Sequence, residues 1–356
     1  MDENEINDIR KQSQFKGITF SKFKKSEVKK ELLKALFKEK IEPACYWCAE
    51  FICAGHYADV WNILLNFMSN NIHLGNPKLP IYIDMRFTAF KEILTNGYIG
   101  QELRMRNNDK IRMLFAEIIS ILALSKKKNS FDSIKVEKND FYMTQLTEKL
   151  QADNVQYVQE IFRPGDPKEL FIALNELAFH LSKRSQNKIT CCYWIEWILA
   201  FERTCKAKKK NCSAQRRAFI PIDSKYQKEV IWMVWELLLS TSTKHSTQIK
   251  AIVHSLLNLF CIRYTPSVKR KRKYILYFAI SLLTEHVNLS IPLYTDQSII
   301  EKVKSKINVI YKQVKKNEES PNTSYLFTNT VAEKNLEKTI KKLEIFQKLS
   351  NIITRQ

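Results

Sequence analysis

Cys45, Cys48, Cys53 and His56 stand in a C-x2-C-x4-C-x2-H arrangement, and these are the residue types that bind zinc. In a continuous helix the four share one face, but Cys45 and His56 then lie about 16 Å apart along the axis. A tetrahedral zinc needs every ligand within about 2.3 Å. No proline interrupts 44–56, so the helix is expected to be continuous and the cysteines to be small buried hydrophobes. Cys205 and Cys212 flank a basic stretch and offer a second, weaker metal alternative. For nucleophilic chemistry, His56, His73, His180, His245, His254 and His286 are scattered, and no G-x-S-x-G elbow or G-x-x-x-x-G-K-[ST] phosphate loop occurs. The sequence therefore names no catalytic residue, metal or cofactor, and an enzyme with a dispersed active site stays open as a third reading.

Phosphate chemistry has better candidates. The stretch 203–217, RTCKAKKKNCSAQRR, carries Arg203, Lys206, Lys208, Lys209, Lys210, Arg216 and Arg217 with no acidic residue among them. It interrupts two apolar helical patterns, so it is expected to be an exposed loop. A second cluster, Lys269, Arg270, Lys271, Arg272 and Lys273, falls near the start of an apolar helix, where cations oppose the helix dipole at a few tenths of a kcal/mol each. A phosphate contact would offset that cost. Such contacts would not read sequence, because nothing resembles a base-reading module. The alternatives are a solvated surface and a nuclear-import signal.

The whole chain leans the same way. Lys and Arg outnumber Asp and Glu by 58 to 37, a formal charge of +21. A compact body this positive repels itself, and a polyanion relieves the repulsion while shedding its own counterions. The competing source is an AT-rich genome, whose codons inflate Lys, Asn and Ile.

The elements that must position these cations read as helices. Only 6 glycines occur in 356 residues, too few for glycine-dependent phosphate loops or many tight β-turns, so the fold class is all-α. Residues 1–14 are polar and expected to be frayed. A first apolar block, 15–125, opens with a helix capped near Ser26 and continues with one from Glu42-Pro43 to Gly55, then others over 57–70, 81–94 and 111–124. Residues 126–140 read as a basic linker. A second block, 141–296, holds two helices in 141–162, then helices over 168–182, 189–202, 227–240, 246–262 and 267–286. The C-terminal region 297–356 carries an amphipathic helix near 297–315 and another near 331–349. The tryptophans, Trp47, Trp61, Trp194, Trp197, Trp232 and Trp235, all fall inside apolar helices and are expected in the core. Cys45-Tyr46-Trp47 recurs as Cys192-Tyr193-Trp194, which duplication of a helical unit or ordinary aromatic packing would each explain.

The segment 44–77, ACYWCAEFICAGHYADVWNILLNFMSNNIHLGNP, resembles the C-terminal helical region of RarA/MgsA-type ATPases, relatives of the clamp loaders. The matching positions are Ala44, Tyr46, Trp47, Ala49, Ala54, Gly55, Ser69, Ile72, Leu74, Asn76 and Pro77. The resemblance implies a collar-like module that assembles oligomers on DNA, here without a motor. It departs at Ile63, Leu64 and Leu65, where paired arginines are expected, and at Asn70-Asn71. CCYWIEWILAFE and IRYTPSVKRKRKYILYFAISLLTE also give the chain a look similar to uncharacterised helical proteins of large nucleocytoplasmic DNA viruses. That likeness implies a setting in the cytoplasm, a virion or the nucleus.

MDENEINDIR has no signal-peptide core and no apolar run reaches the roughly 18 residues of a membrane span, so an intracellular chain with reduced thiols is expected. The functional expectation is a non-enzymatic scaffold or assembly factor in replication, transcription or packaging, bound to DNA or RNA backbones. A replication or virion protein partner and self-association are further possibilities, with no membrane. The alternative is a structural or virion interaction protein with no nucleic-acid role.

Overall fold

The computed structural model describes residues 4–319. The helix expected near 331–349 lies outside them. The described residues are helical, with no β-strand and one isolated bridge between Ile18 and Lys24.

In the first block, α1 (Lys25–Phe37), α2 (Ile41–Cys53), α3 (Tyr57–Phe67), α4 (Leu79–Thr95) and α5 (Asp109–Leu124) follow one another with short connections. The α5 helix is the hub. Asn108 caps it by accepting from the Ile111 N–H, and its apolar residues run almost all the way round, so neighbours cover every side. The helix expected to be capped by Ser26 starts two residues earlier, with Lys24 at the cap position and no side-chain cap. Gly55 ends α2 as expected: its φ is +75°, and an added Cβ would press on Leu103 at 3.1 Å and on Gln12 at 3.3 Å.

Past α3 the chain runs through a π-turn (Met68–Ile72) and a 3-10 turn (His73–Gly75) before α4. Here the expected linker lies against the core. The Lys128 N–H donates to the Asn71 carbonyl, and the Phe131 ring packs on His73 at 4.7 Å and on Tyr277 at 5.4 Å. The charges of 126–128 suggested a solvated connector. The apolar residues Phe131, Ile134 and Val136 decide its course instead. At Gly75 an added Cβ would collide with the Lys126 backbone carbonyl. Gly75→Ala is therefore expected to lift this strap and destabilise the chain by about 1–3 kcal/mol, read as a lower urea midpoint.

The second block contains α6 (Met143–Thr147), α7 (Phe171–Leu181), α8 (Lys188–Ala207), α9 (Ile231–Ser242), α10 (Thr247–Cys261), α11 (Val268–Lys271) and α12 (Lys273–Thr284). Two helices were expected in 141–162, but only α6 forms there. Side chains of α7 take the backbone donors that a helix would have used: Glu176 accepts from the N–H groups of Gln151 and Ala152, and Asn175 from that of Tyr157. The expected helix over 267–286 breaks at Arg272, whose guanidinium turns inward. The two blocks share one core, with α4 against α10 and α12 against α3 and the π-turn.

The amphipathic helix α13 (Gln297–Lys315) completes the first block. Ile300, Ile307, Ile310, Tyr311 and Val314 pack onto α5 and α2, and the Arg112 guanidinium sits 4.3 Å from the Tyr311 ring centre. The N-terminal segment, expected to be frayed, is docked beside it. Ile6 is buried; Arg10 pairs with Asp8 at 2.6 Å and lies 4.7 Å from the Phe15 and Phe20 ring centres. Asp8 also accepts from the Glu319 N–H at 2.8 Å. Burial pushes the Asp8 carboxyl up, but hydrogen bonds from Arg10 and the Glu319 backbone outweigh it and hold it below the ordinary value. A lone buried pair carries no helical period, so nothing in the pattern marked this segment as ordered.

Candidate nucleic-acid interface

The α8 helix is capped by Asn187, which accepts from the Thr190 N–H, and its last turn extends into the first basic cluster. Arg203 and Lys206 are thus helical rather than on a loop, and cations at that end favour the helix dipole. Lys209 follows in the left-handed region with φ +54°, while the Lys210 N–H closes the helix onto the Cys205 carbonyl.

Glu202, buried on α8, joins the two clusters. One of its oxygens takes Lys206 Nζ at 2.9 Å and the other takes Lys269 Nζ. Lys269 also lies 2.7 Å from Glu229, which accepts the Tyr264 hydroxyl at 2.8 Å. Burial alone would lower the Lys206 pKa, but the Glu202 carboxylate outweighs it and raises it. Stretches 67 residues apart at Glu202 and Lys269 therefore meet at this buried cluster.

Lys206 is exposed but paired with Glu202, and the other cations divide into two groups. Arg217, expected on an exposed loop, is fully buried: it pairs with both oxygens of Asp166, one at 2.7 Å, and with Glu236 at 2.8 Å. Burial pushes the Asp166 carboxyl up, yet bonds from Arg217 and from the Arg163 and Gln215 N–H groups hold it below the ordinary value. Lys269 is 6% exposed and spent on Glu202 and Glu229. Arg272 is buried as well and donates to the Phe260 carbonyl at 2.9 Å, the Ile262 carbonyl at 2.5 Å and Asn62 Oδ1 at 2.9 Å. Burial brings its pKa down to about 10. Lys273 is half-buried and 2.7 Å from Glu196. These four are not available to grip phosphate, because each sits on a helix or turn facing an acid or carbonyl from a distant part of the chain.

Arg203, Lys208, Lys209, Lys210, Arg216, Arg270 and Lys271 face solvent. Among the described residues none of them has an acidic side chain within ion-pair distance; Arg216 donates to Gln227 at 2.7 Å. Lys271 also lines a cavity of about 350 Å³ with Lys25 and Lys29 of α1, where Lys25 pairs with Asp59 at 2.6 Å. Those α1 lysines were not singled out from the sequence, although the run FKKSEVKK at 23–30 carries the signal.

Seven of the eight cysteines are buried, as are His73 and His180, whereas His254 and His286 are exposed. Burial pushes the thiols of Cys45, Cys261 and Cys212 up to about 12. His56 Nε2 lies 3.0 and 2.8 Å from the carbonyl oxygens of Phe15 and Ile18. Among the described residues no group of three or more His, Cys, Asp or Glu side chains is arranged to hold a metal ion. Ser185, His180 and Glu176 do stand in a row, with Oγ 2.7 Å from Nδ1 and the carboxylate 3.5 Å from Nε2. The imidazole is fully enclosed, while Ser185 is half-buried. The 8 cysteines are all free, and none is expected to react quickly with iodoacetamide at neutral pH in the native chain. Mass spectrometry of the native and urea-unfolded protein checks this: one fast native thiol would mean an activated cysteine.

No helix of the described residues is long and apolar enough to cross a membrane. Set against protein-family models, curated proteins and solved structures, the chain matches none of them.

Proposed function

We propose that this chain is a non-enzymatic holder of nucleic acid that grips phosphates, without reading sequence, where the end of α8 meets α11. The observation that carries the reading is the sharing of Glu202 between Lys206 and Lys269, which brings two distant basic stretches together. The buried Glu202 is consumed by the exposed Lys206 and the buried Lys269. The outward-facing Arg203, Lys208, Lys209, Lys210, Arg270 and Lys271 keep their charge uncancelled. Positive charge without neutralising neighbours is what condensed counterions on a polyanion exchange for.

Binding to a duplex or strand of arbitrary sequence is expected, and affinity should fall steeply with salt. Six or more engaged cations imply a loss of about 10³-fold or more between roughly 50 and 200 mM salt. Fluorescence anisotropy with two unrelated sequences measures it. Equal affinity at both salt concentrations, or strong preference for one sequence, would sink the reading.

A further inference from the structure

Past Arg217 the chain forms a loop, 218–223, that one side chain holds in place. Gln227 is buried, and its Nε2 donates to the Ile220 carbonyl at 2.9 Å. The same nitrogen lies 3.4 Å from the carbonyls of Ala218 and Ile222. On the other side of the amide, Oε1 accepts from Arg216 Nε at 2.7 Å, and the Gln227 backbone carbonyl accepts from the Arg217 N–H at 3.0 Å. Ile220 is buried under the loop, and Tyr226 packs on Tyr264 at 5.9 Å. The loop is therefore fixed although it is not helical.

What it presents to solvent is a ring. Phe219 is 48% exposed, and no other aromatic ring among the described residues lies on it. A single exposed phenylalanine is ordinary on a protein surface. This one differs in its company. Arg216, three positions earlier, is exposed and is set by the same Gln227 that sets the loop. Pro221, two positions later, lines a cavity together with the exposed Arg263. Lys228 is exposed too, and its carbonyl accepts from the Ala214 N–H at 2.8 Å, beside the strand that leads to Arg216. Among the described residues none of these three cations meets an acidic side chain. The one acid of 218–226, Asp223, is taken by Lys225 at 3.0 Å.

We propose that Phe219 is a stacking platform for an unpaired base, so that nucleic acid is held at this point as a single strand. The proposal rests on the phosphate-holding reading and adds the class of nucleic acid to it. A base in a duplex is stacked on both faces and has none to give, whereas an unpaired base gains apolar contact on a ring whatever its identity. The phosphates on either side of that base fall to Arg216 and Arg263. Uncancelled cations around the ring favour a polyanion over an apolar protein surface, which would have to desolvate them.

Fluorescence anisotropy with a mixed-sequence single strand, the same strand carrying abasic residues, and the matching duplex tests it. Phe219→Ala should weaken binding of the intact strand by about fivefold or more. It should leave the abasic strand and the duplex bound as by the native chain, and Phe219→Trp should keep or tighten strand binding. The salt slope should not change, because no phosphate contact is removed. The ring is half in water, so the circular-dichroism spectrum and the urea midpoint of Phe219→Ala should match the native ones. Unchanged strand binding by Phe219→Ala would overturn the proposal and leave the ring as a protein contact. So would an equal loss on strand, abasic strand and duplex, which would mean that the ring only shapes the loop. In both cases salt-dependent binding by the native chain persists. A native chain that binds neither strand nor duplex would instead strike the phosphate-holding reading, and this proposal with it.

Discussion

Replacing Lys208, Lys209 and Lys210 together by alanine should flatten the plot of log affinity against log salt by about 2.7 units on duplex DNA, or about 2 on a single strand. Each lysine that contacts a phosphate releases close to one counterion, so removing three contacts removes three terms from the slope. These lysines are exposed, and among the described residues none meets an acid. Their loss should cost the fold little: weaker compensation of the α8 dipole, about 1 kcal/mol in all. At low salt the variant should bind visibly more weakly, and at high salt the two proteins should converge. Anisotropy titrations at four or more salt concentrations give the slope directly. An unchanged slope would place the phosphate contacts elsewhere. No nucleic-acid binding by the native chain, with recovery in a stoichiometric protein particle, would favour the reading as a structural interaction protein.

Arg217→Ala should do the opposite, changing stability far more than binding. The guanidinium is enclosed and holds Asp166, whose side chain is equally inaccessible. Removing one partner of a buried pair strands the other charge, at about 3–5 kcal/mol. Against a typical total stability of about 5–15 kcal/mol, the loss should move the urea midpoint far to the left. Arg217→Met with Asp166→Leu should recover part of it, because the stranded carboxylate is gone while the Arg163 and Gln215 N–H groups lose their acceptor. The effect has a defined pH dependence. In the native chain the Asp166 carboxyl is held below its unfolded value, so its contribution is complete above pH about 4 and fades as pH falls through the folded value. In the variant the guanidinium is gone and burial raises the same carboxyl. The stability gap between the two proteins should thus be widest near neutral pH and shrink in acid. A gap that stays constant down to pH 3 would show that the penalty is lost packing rather than a stranded carboxylate.

These two variants share one stretch of sequence, 203–217, whose cations look equivalent on paper. The helical pattern and the stop at Gly55 were legible because they depend on residues within a few positions of each other. The fate of a lysine or arginine was not. Arg217 and its acid Asp166 are 51 residues apart, and Lys269 and Glu202 are 67 apart. Only the packing of α7, α8, α9 and α11 brings them together. Lys269 and Lys271 sit two positions apart, on faces that one four-residue helix turns in different directions, one into Glu202 and one to solvent. A cavity of about 620 Å³ beside Trp61 was hidden for a related reason. Its lining comes from α3, α4, α10 and α11 and from the turns at Glu102 and Pro221, and each aromatic residue taken alone reads as ordinary core.

The docking of α13 onto α5 and α2 has a consequence for how the chain is made. When α5 leaves the ribosome its apolar surface lacks the helix that covers one side, and that helix is encoded roughly 190 residues downstream, some 10–40 s later at ordinary rates of translation. For that interval the nascent first block presents an unfinished sticky flank. Its final closure can follow only once synthesis has passed residue 315, however early its own helices form.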